Sequence, residues 1–160
     1  MKAIIIYFTM GGRTKKSAKA IGKALSNYEV DYFPMELQGN FIEKIKELDL
    51  YEKDNFSLIE EELKKLDGKD YDLIIIGMPT YGDKPANAFN EIVRKMPNLK
   101  DKKTAIFVTA RFSGGKTLNY MKEQLQDKGA QIIKEGKFRR LFYLGKRKST
   151  QFGTELNKEK

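Results

Sequence analysis

The sequence predicts an α/β domain built on a parallel sheet, and three observations carry that prediction. Short β-rich runs alternate with helical patterns along the chain, the order that a sheet with helical crossovers requires. The strongest runs, at 3–8 and 73–76, are continuously apolar, as strands covered on both faces must be. The 160 residues, 40% hydrophobic and 33% charged, suit one globular domain over 1–160 without a linker or internal repeat.

The elements follow in order. Ala3-Ile4-Ile5-Ile6-Tyr7-Phe8 is the first strand. After Gly11-Gly12, Ala18, Ile21 and Leu25 recur at helical spacing. Val30 to Met35 reads as a second strand, weakened by Pro34. The stretch from Glu36 to Gly68 exceeds a simple crossover and is expected to hold two helical pieces. One would put Phe41, Ile42, Ile45 and Leu48 on one face; the other would start at the capping box Ser57-Leu58-Ile59-Glu60 and bury Leu63 and Leu66. Tyr71 to Gly77 is the third strand. Its helix is expected to open with Asp83 as N-cap and Pro85 in the first turn, with Phe89, Ile92, Val93 and Met96 inward. Thr104 to Thr109 is the fourth strand, backed by a helix carrying Leu118, Met121 and Leu125 and ended by Gly129. Ala130 to Phe138 is the fifth. Phe152 and Leu156 suggest a last short helix from about Thr150, with Gly153 speaking against it.

Composition narrows the chemistry. The chain has no histidine and no cysteine, which excludes disulfides, Cys/His metal sites, thiolate nucleophiles and Ser-His or Cys-His catalysis. Any reaction must run on carboxylates, lysine, tyrosine, backbone dipoles or a bound cofactor. The 31 Lys and Arg against 22 Asp and Glu give +9, which raises a nucleic-acid hypothesis. Most of the excess, however, sits between Lys134 and Lys148, where Lys134, Lys137, Arg139, Arg140, Lys146, Arg147 and Lys148 face only Glu135. That segment reads as a solvated basic stretch or as a docking patch for an anionic partner, and no nucleic acid is expected. No run approaches the ~20 apolar residues of a membrane helix, so no membrane insertion is expected. The first run is too short for a signal peptide and is followed by Arg13, Lys15 and Lys16 without a cleavage site, so the expected location is cytoplasmic.

Right-handed crossovers place the ligand crevice of such a sheet at the C-terminal ends of its strands. Three segments there are informative. Thr9-Met10-Gly11-Gly12-Arg13-Thr14 joins two glycines, two hydroxyls and a helix N-terminus, an arrangement suited to a terminal phosphate or, more simply, to a tight turn. Gly77-Met78-Pro79-Thr80-Tyr81-Gly82-Asp83 offers a stiffened loop with Tyr81 as a flat wall. Thr109-Ala110-Arg111-Phe112-Ser113-Gly114-Gly115 again joins glycines to an aromatic. One parallel sheet brings all three to the same edge.

In these residues the chain resembles the flavodoxin family over almost its whole length. The first loop is similar to the family's phosphate loop, Thr/Ser-x-Thr/Ser-Gly-x-Thr, departing from it at Gly11, where a hydroxyl is lost. The second and third loops are similar to the family's two flavin loops. The resemblance implies a three-layer, doubly wound sheet of five parallel strands in the order 2-1-3-4-5, with FMN as cofactor. It implies that Thr9 to Thr14 hold the phosphate and that Tyr81, with Met10 or Phe112, covers the isoalloxazine. It further implies that backbone groups near Gly82 bond the ring edge and that Pro79, Thr80, Thr109, Ala110, Arg111, Ser113, Gly114 and Gly115 complete the site. FMN brings its own electron chemistry, which agrees with the missing His and Cys.

The expected function is electron transfer with a redox partner protein. An NAD(P)H-dependent FMN oxidoreductase or quinone reductase is the alternative, with Arg13 or Arg111 available to a pyridine nucleotide. Two lesser readings remain. Ala110 to Thr117 resembles a phosphate-binding loop of nucleoside triphosphatases, but its first position is Ala and the following strand offers no Asp for magnesium. The other is a cofactor-free scaffold that acts through protein contacts.

Overall fold

The structure is a computed structural model that describes residues 1–37, 40, 42–46, 53, 70–96, 99–111, 115–139 and 144–158. Its strands are β1 (Lys2–Thr9), β2 (Glu29–Glu36), β3 (Leu73–Tyr81), β4 (Lys84–Pro85), β5 (Lys103–Ala110) and β6 (Gln131–Arg139). Its helices are α1 (Arg13–Ala24), α2 (Ala88–Lys95), α3 (Gly115–Asp127) and α4 (Leu144–Leu156). The five long strands lie in the order β2-β1-β3-β5-β6, every neighbouring pair parallel, and two-residue β4 pairs antiparallel with the end of β3. With β4 set aside, this is the expected order 2-1-3-4-5.

The period-2 geometry of β1 divides the core in two. Ile4, Ile6 and Phe8 join Ile74, Ile76, Phe89, Ile92, Met121 and Leu125 on the face covered by α2 and α3. Ala3, Ile5 and Tyr7 join Ile21, Phe107, Phe138, Phe152 and Leu156 on the face covered by α1 and α4. A continuously apolar strand is the sequence consequence of having helices on both faces. Pro34 lies on β2, an edge strand, where a missing ladder donor is tolerated. Gly129, at φ 85°, ends α3 as expected, with the Ala130 amide donating to the Leu125 carbonyl at 3.0 Å.

Three expectations need correction. Asp83 does not cap a helix and Pro85 is not in a helical turn. Gly82 and Asp83, at φ 53° and 68°, form a two-residue hairpin between β3 and β4, and α2 starts at Ala88 after Asn87. Asp serves tight turns as readily as caps, and with Gly before it the turn wins. The last helix begins at Leu144, well before Thr150, and runs through Gly153. A Cβ on Gly153 would lie 2.5 Å from the Ile21 carbonyl oxygen, so this glycine permits α1 and α4 to approach closely. Residues 42–46 are helical as expected, and Ile42 and Ile45, three residues apart on that helix, are both exposed. Phe41, Leu48 and the second helical piece at 57–66 lie outside the described residues. Among those described, no helix is long and apolar enough to cross a membrane.

Candidate functional site

The C-terminal ends of β1, β3 and β5 converge on one crevice. Gly12 caps α1 in the left-handed region at φ 75°, and among the described residues no side-chain cap bonds the free amides of the first turn. Among the described residues a Cβ at Gly11 or Gly12 would meet nothing within 4 Å, so with respect to them the turn is open at the positive end of α1. A Cβ at Gly82 or Gly115 would likewise meet nothing within 4 Å among the described residues. Four glycines at this edge thus keep the backbone approachable by a ligand.

Hydroxyls tie the strand ends together. Thr14 Oγ1 lies 2.9 Å from Thr109 Oγ1, joining the first turn of α1 to the end of β5, and Thr109 sits opposite Pro79 of β3. Thr9 and Thr14 are buried, while Arg13 beside them is exposed. Thr80 Oγ1 is buried and has no hydrogen-bond partner among the described residues. An orphaned hydroxyl at the rim of a crevice is an available donor or acceptor. Met10 and Tyr81 are both half-buried and rest on the same core cluster beneath the crevice. The hairpin is tied to α3 by Asp83 and Lys116, 3.4 Å apart. Ala110 is buried and Arg111 exposed at the end of β5; Phe112, Ser113 and Gly114 lie outside the described residues.

One contributor escaped the sequence reading. Glu36 ends β2 directly opposite Thr9 and accepts hydrogen bonds from Lys15 Nζ at 2.9 Å and from the Tyr7 hydroxyl at 3.1 Å. Burial, then the bond to the Glu36 carboxylate, push the Tyr7 phenol far above its ordinary range, so it stays a proton donor. Tyr7, Glu36 and Lys15 thereby brace α1 against β1 and β2 just below the glycine turn. Only the strand register brings Glu36 there, and a single charged residue at a strand end gives no local signal.

Solved structures resemble this chain from end to end. Oxidised flavodoxin 2 from Bacillus cereus is 22% identical, with 100% of each chain covered and a TM-score of 0.65. A flavodoxin from the domain Archaea is 19% identical, covering 99% of this chain and 98% of its own, with a TM-score of 0.61. The chain has the flavodoxin fold. A Lactobacillus acidophilus flavoprotein in complex with FMN is 20% identical over 85% of this chain and 92% of its own, with a TM-score of 0.57. No protein-family model and no curated protein sequence matches the chain.

Proposed function

We propose that the chain, as a single domain over 1–160, binds FMN at this edge and acts in electron transfer. The observation that carries the proposal is the open Gly11-Gly12 turn at the α1 N-terminus, held to β5 by the Thr14–Thr109 hydroxyl pair. The flavodoxin fold supports it, as does the FMN complex of the Lactobacillus protein. Bound FMN supplies one- and two-electron chemistry; the chain binds, orients and shields it. The amides and hydroxyls of Thr9, Gly11, Gly12, Arg13 and Thr14 hold the phosphate. Tyr81 and Met10 flank the isoalloxazine, and the backbone near Gly82, Thr80, Thr109 and Arg111 completes the contacts. The residues present fit the group. The lost hydroxyl at Gly11 is offset by a backbone free of any Cβ.

Titrating the chain with FMN and with riboflavin, and following flavin fluorescence, tests the reading. Quenching at one equivalent of FMN is expected, with riboflavin weaker by about 100-fold, since two or more charge-assisted bonds to phosphate are lost. Equal affinity for both flavins would refute the phosphate site.

Exposed Arg13 and Arg111 at the crevice favour a second reading, an NAD(P)H-dependent oxidoreductase. Anaerobic mixing with NADPH separates the two. Rapid flavin bleaching without a second protein would favour the enzyme, and no bleaching favours a carrier with a redox partner protein. Cytoplasmic residence is part of the proposed carrier role.

A further inference from the structure

Resting on the FMN reading above, we propose that the site-bearing edge of the sheet is a cationic docking face for an acidic redox protein. The topology gathers the chain's basic excess there. β6 ends at Arg139 on this edge, and α4 begins at Leu144 and runs back down β6. Phe152 packs on Phe138, and Glu155 pairs with Lys134 at 2.8 Å. At the far end of α4, Asn157 donates to the Ala24 carbonyl at the close of α1. Lys146, Arg147 and Lys148 therefore stand at the top of α4, exposed, beside exposed Arg139. Arg13 is exposed at the turn that opens α1 on the same edge.

Helix electrostatics argue that these bases are not there for the fold. The positive end of a helix favours Asp or Glu in its first turn and disfavours Lys and Arg. α1 opens Arg13-Thr14-Lys15-Lys16, α3 opens Gly115-Lys116, and α4 opens Leu144-Gly145-Lys146-Arg147; none has an acid in its first turn. α2 follows the rule, with Glu91 in its first turn and Arg94 and Lys95 in its last. Lys15 and Lys116 have a structural reason in their pairs with Glu36 and Asp83, whereas Arg13, Lys146 and Arg147 have no ion pair among the described residues and still break the local preference in the same direction, which points to function. The described acids at the crevice are already neutralised, Glu36 by Lys15 and Asp83 by Lys116. Among the described residues, Arg139, Lys146, Arg147 and Lys148 have no ion pair. At the opposite edge the charges are mixed: Asp72 accepts from the Lys2 amide, and Asp101 and Asp127 stand beside Lys102 and Lys128.

A positive rim around an electron-transfer site steers an acidic partner and orients it with its redox centre toward the crevice. Each encounter moves one electron from the partner's reduced centre to the bound flavin, and no group is transferred. The bases come from several elements around one crevice and are not aligned along a helix or strand, which fits a protein face better than a nucleic-acid backbone.

The probe is a small acidic [2Fe–2S] ferredoxin, with a basic cytochrome c as control. Ferredoxin binding is measured by fluorescence anisotropy with and without FMN, and electron transfer by anaerobic stopped flow. A dissociation constant that rises about 10-fold between roughly 20 and 200 mM salt is expected, with cytochrome c at least about 10-fold weaker. Lys146→Glu/Arg147→Glu/Lys148→Glu should weaken ferredoxin by about 10-fold or more and slow the electron-transfer rate in parallel. The charge-matched variant Lys100→Glu/Lys128→Glu/Lys158→Glu, at the opposite edge, should change binding less than about 3-fold. Equal losses in the two variants, or tighter binding of cytochrome c, would overturn the proposal. So would a duplex oligonucleotide that displaces ferredoxin at equal concentration. Because ferredoxin binding is also read without FMN, its failure is distinct from a failure of FMN to bind.

Discussion

Gly153 sets two opposing effects against each other, and the structure decides between them. Replacing a mid-helix glycine by alanine usually stabilises by about 1 kcal/mol, through helix propensity and a less free unfolded chain. At this position the new Cβ would stand 2.5 Å from the Ile21 carbonyl oxygen and 2.9 Å from the Ala24 Cβ. Ordinary van der Waals contact begins near 3.4 Å, so α1 and α4 must part by about 0.9 Å. A gap of that size forfeits roughly a quarter to a half of the dispersion attraction between the facing side chains. Those are large and buried: Ile21, Phe152 and Leu156. The obstacle is backbone and cannot swing aside, so the cost belongs near the top of the overpacking range, about 3 kcal/mol. The net expectation for Gly153→Ala is a loss of about 2 kcal/mol, or roughly 6 °C in Tm for a chain of this size. Urea unfolding should show a lower midpoint at unchanged slope. Ala24→Gly in the same background should restore little, because the carbonyl contact stays. A variant as stable as the parent would refute the close-approach explanation.

Other substitutions probe the crevice and its supports. Thr109→Val keeps the shape but strands the buried Thr14 hydroxyl, so a loss of about 1–2 kcal/mol is expected in urea unfolding, together with weaker FMN quenching. Asn157→Ala removes the 2.6 Å bond to the Ala24 carbonyl and should cost about 1 kcal/mol by the same assay. Burial raises the Tyr7, Tyr28, Tyr32 and Tyr71 phenols in the folded state, and neighbouring carboxylates add to the rise at Tyr7, Tyr28 and Tyr71. Unfolded tyrosines ionise first as pH rises, so their contribution to stability is constant below about pH 10 and is lost above it. Tyr7→Phe should lower stability near neutral pH and flatten the alkaline decline.

The parts legible in the sequence are those governed by local pattern. β1, β3 and β5 show as continuous apolar runs because helices cover both faces, and α1, α2 and α3 show in the spacing of Ile21, Ile92 and Met121. The three glycine-bearing segments could be assigned to one edge because right-handed crossovers leave no other place for them. What stayed hidden depends on tertiary contact. Gly153 reads as a helix breaker until Ile21 is seen against it, and Glu36 is anonymous until register sets it across from Thr9. Asp83 and Pro85 were misassigned because cap and hairpin share the same residue types, and only pairing with Thr80 and Tyr81 distinguishes them.

The same edge carries a conflict between stability and recognition. Three bases near the positive end of α4 repel its dipole and one another, and Arg13 and Lys16 do the same at α1. If they serve a partner, removing them should help the isolated chain. Lys146→Glu/Arg147→Glu/Lys148→Glu replaces two unfavourable first-turn charges, at 146 and 147, with favourable ones and relieves repulsion from the third just beyond, each exchange contributing a few tenths of a kcal/mol at an exposed site. The variant is therefore expected to unfold at a higher urea concentration by about 1 kcal/mol at low salt, with the gain shrinking as salt screens it. Higher stability together with weaker ferredoxin binding is the trade-off of residues kept for function. A variant that lost stability would show that these side chains hold the fold, and the dipole argument for a docking face would fall with it.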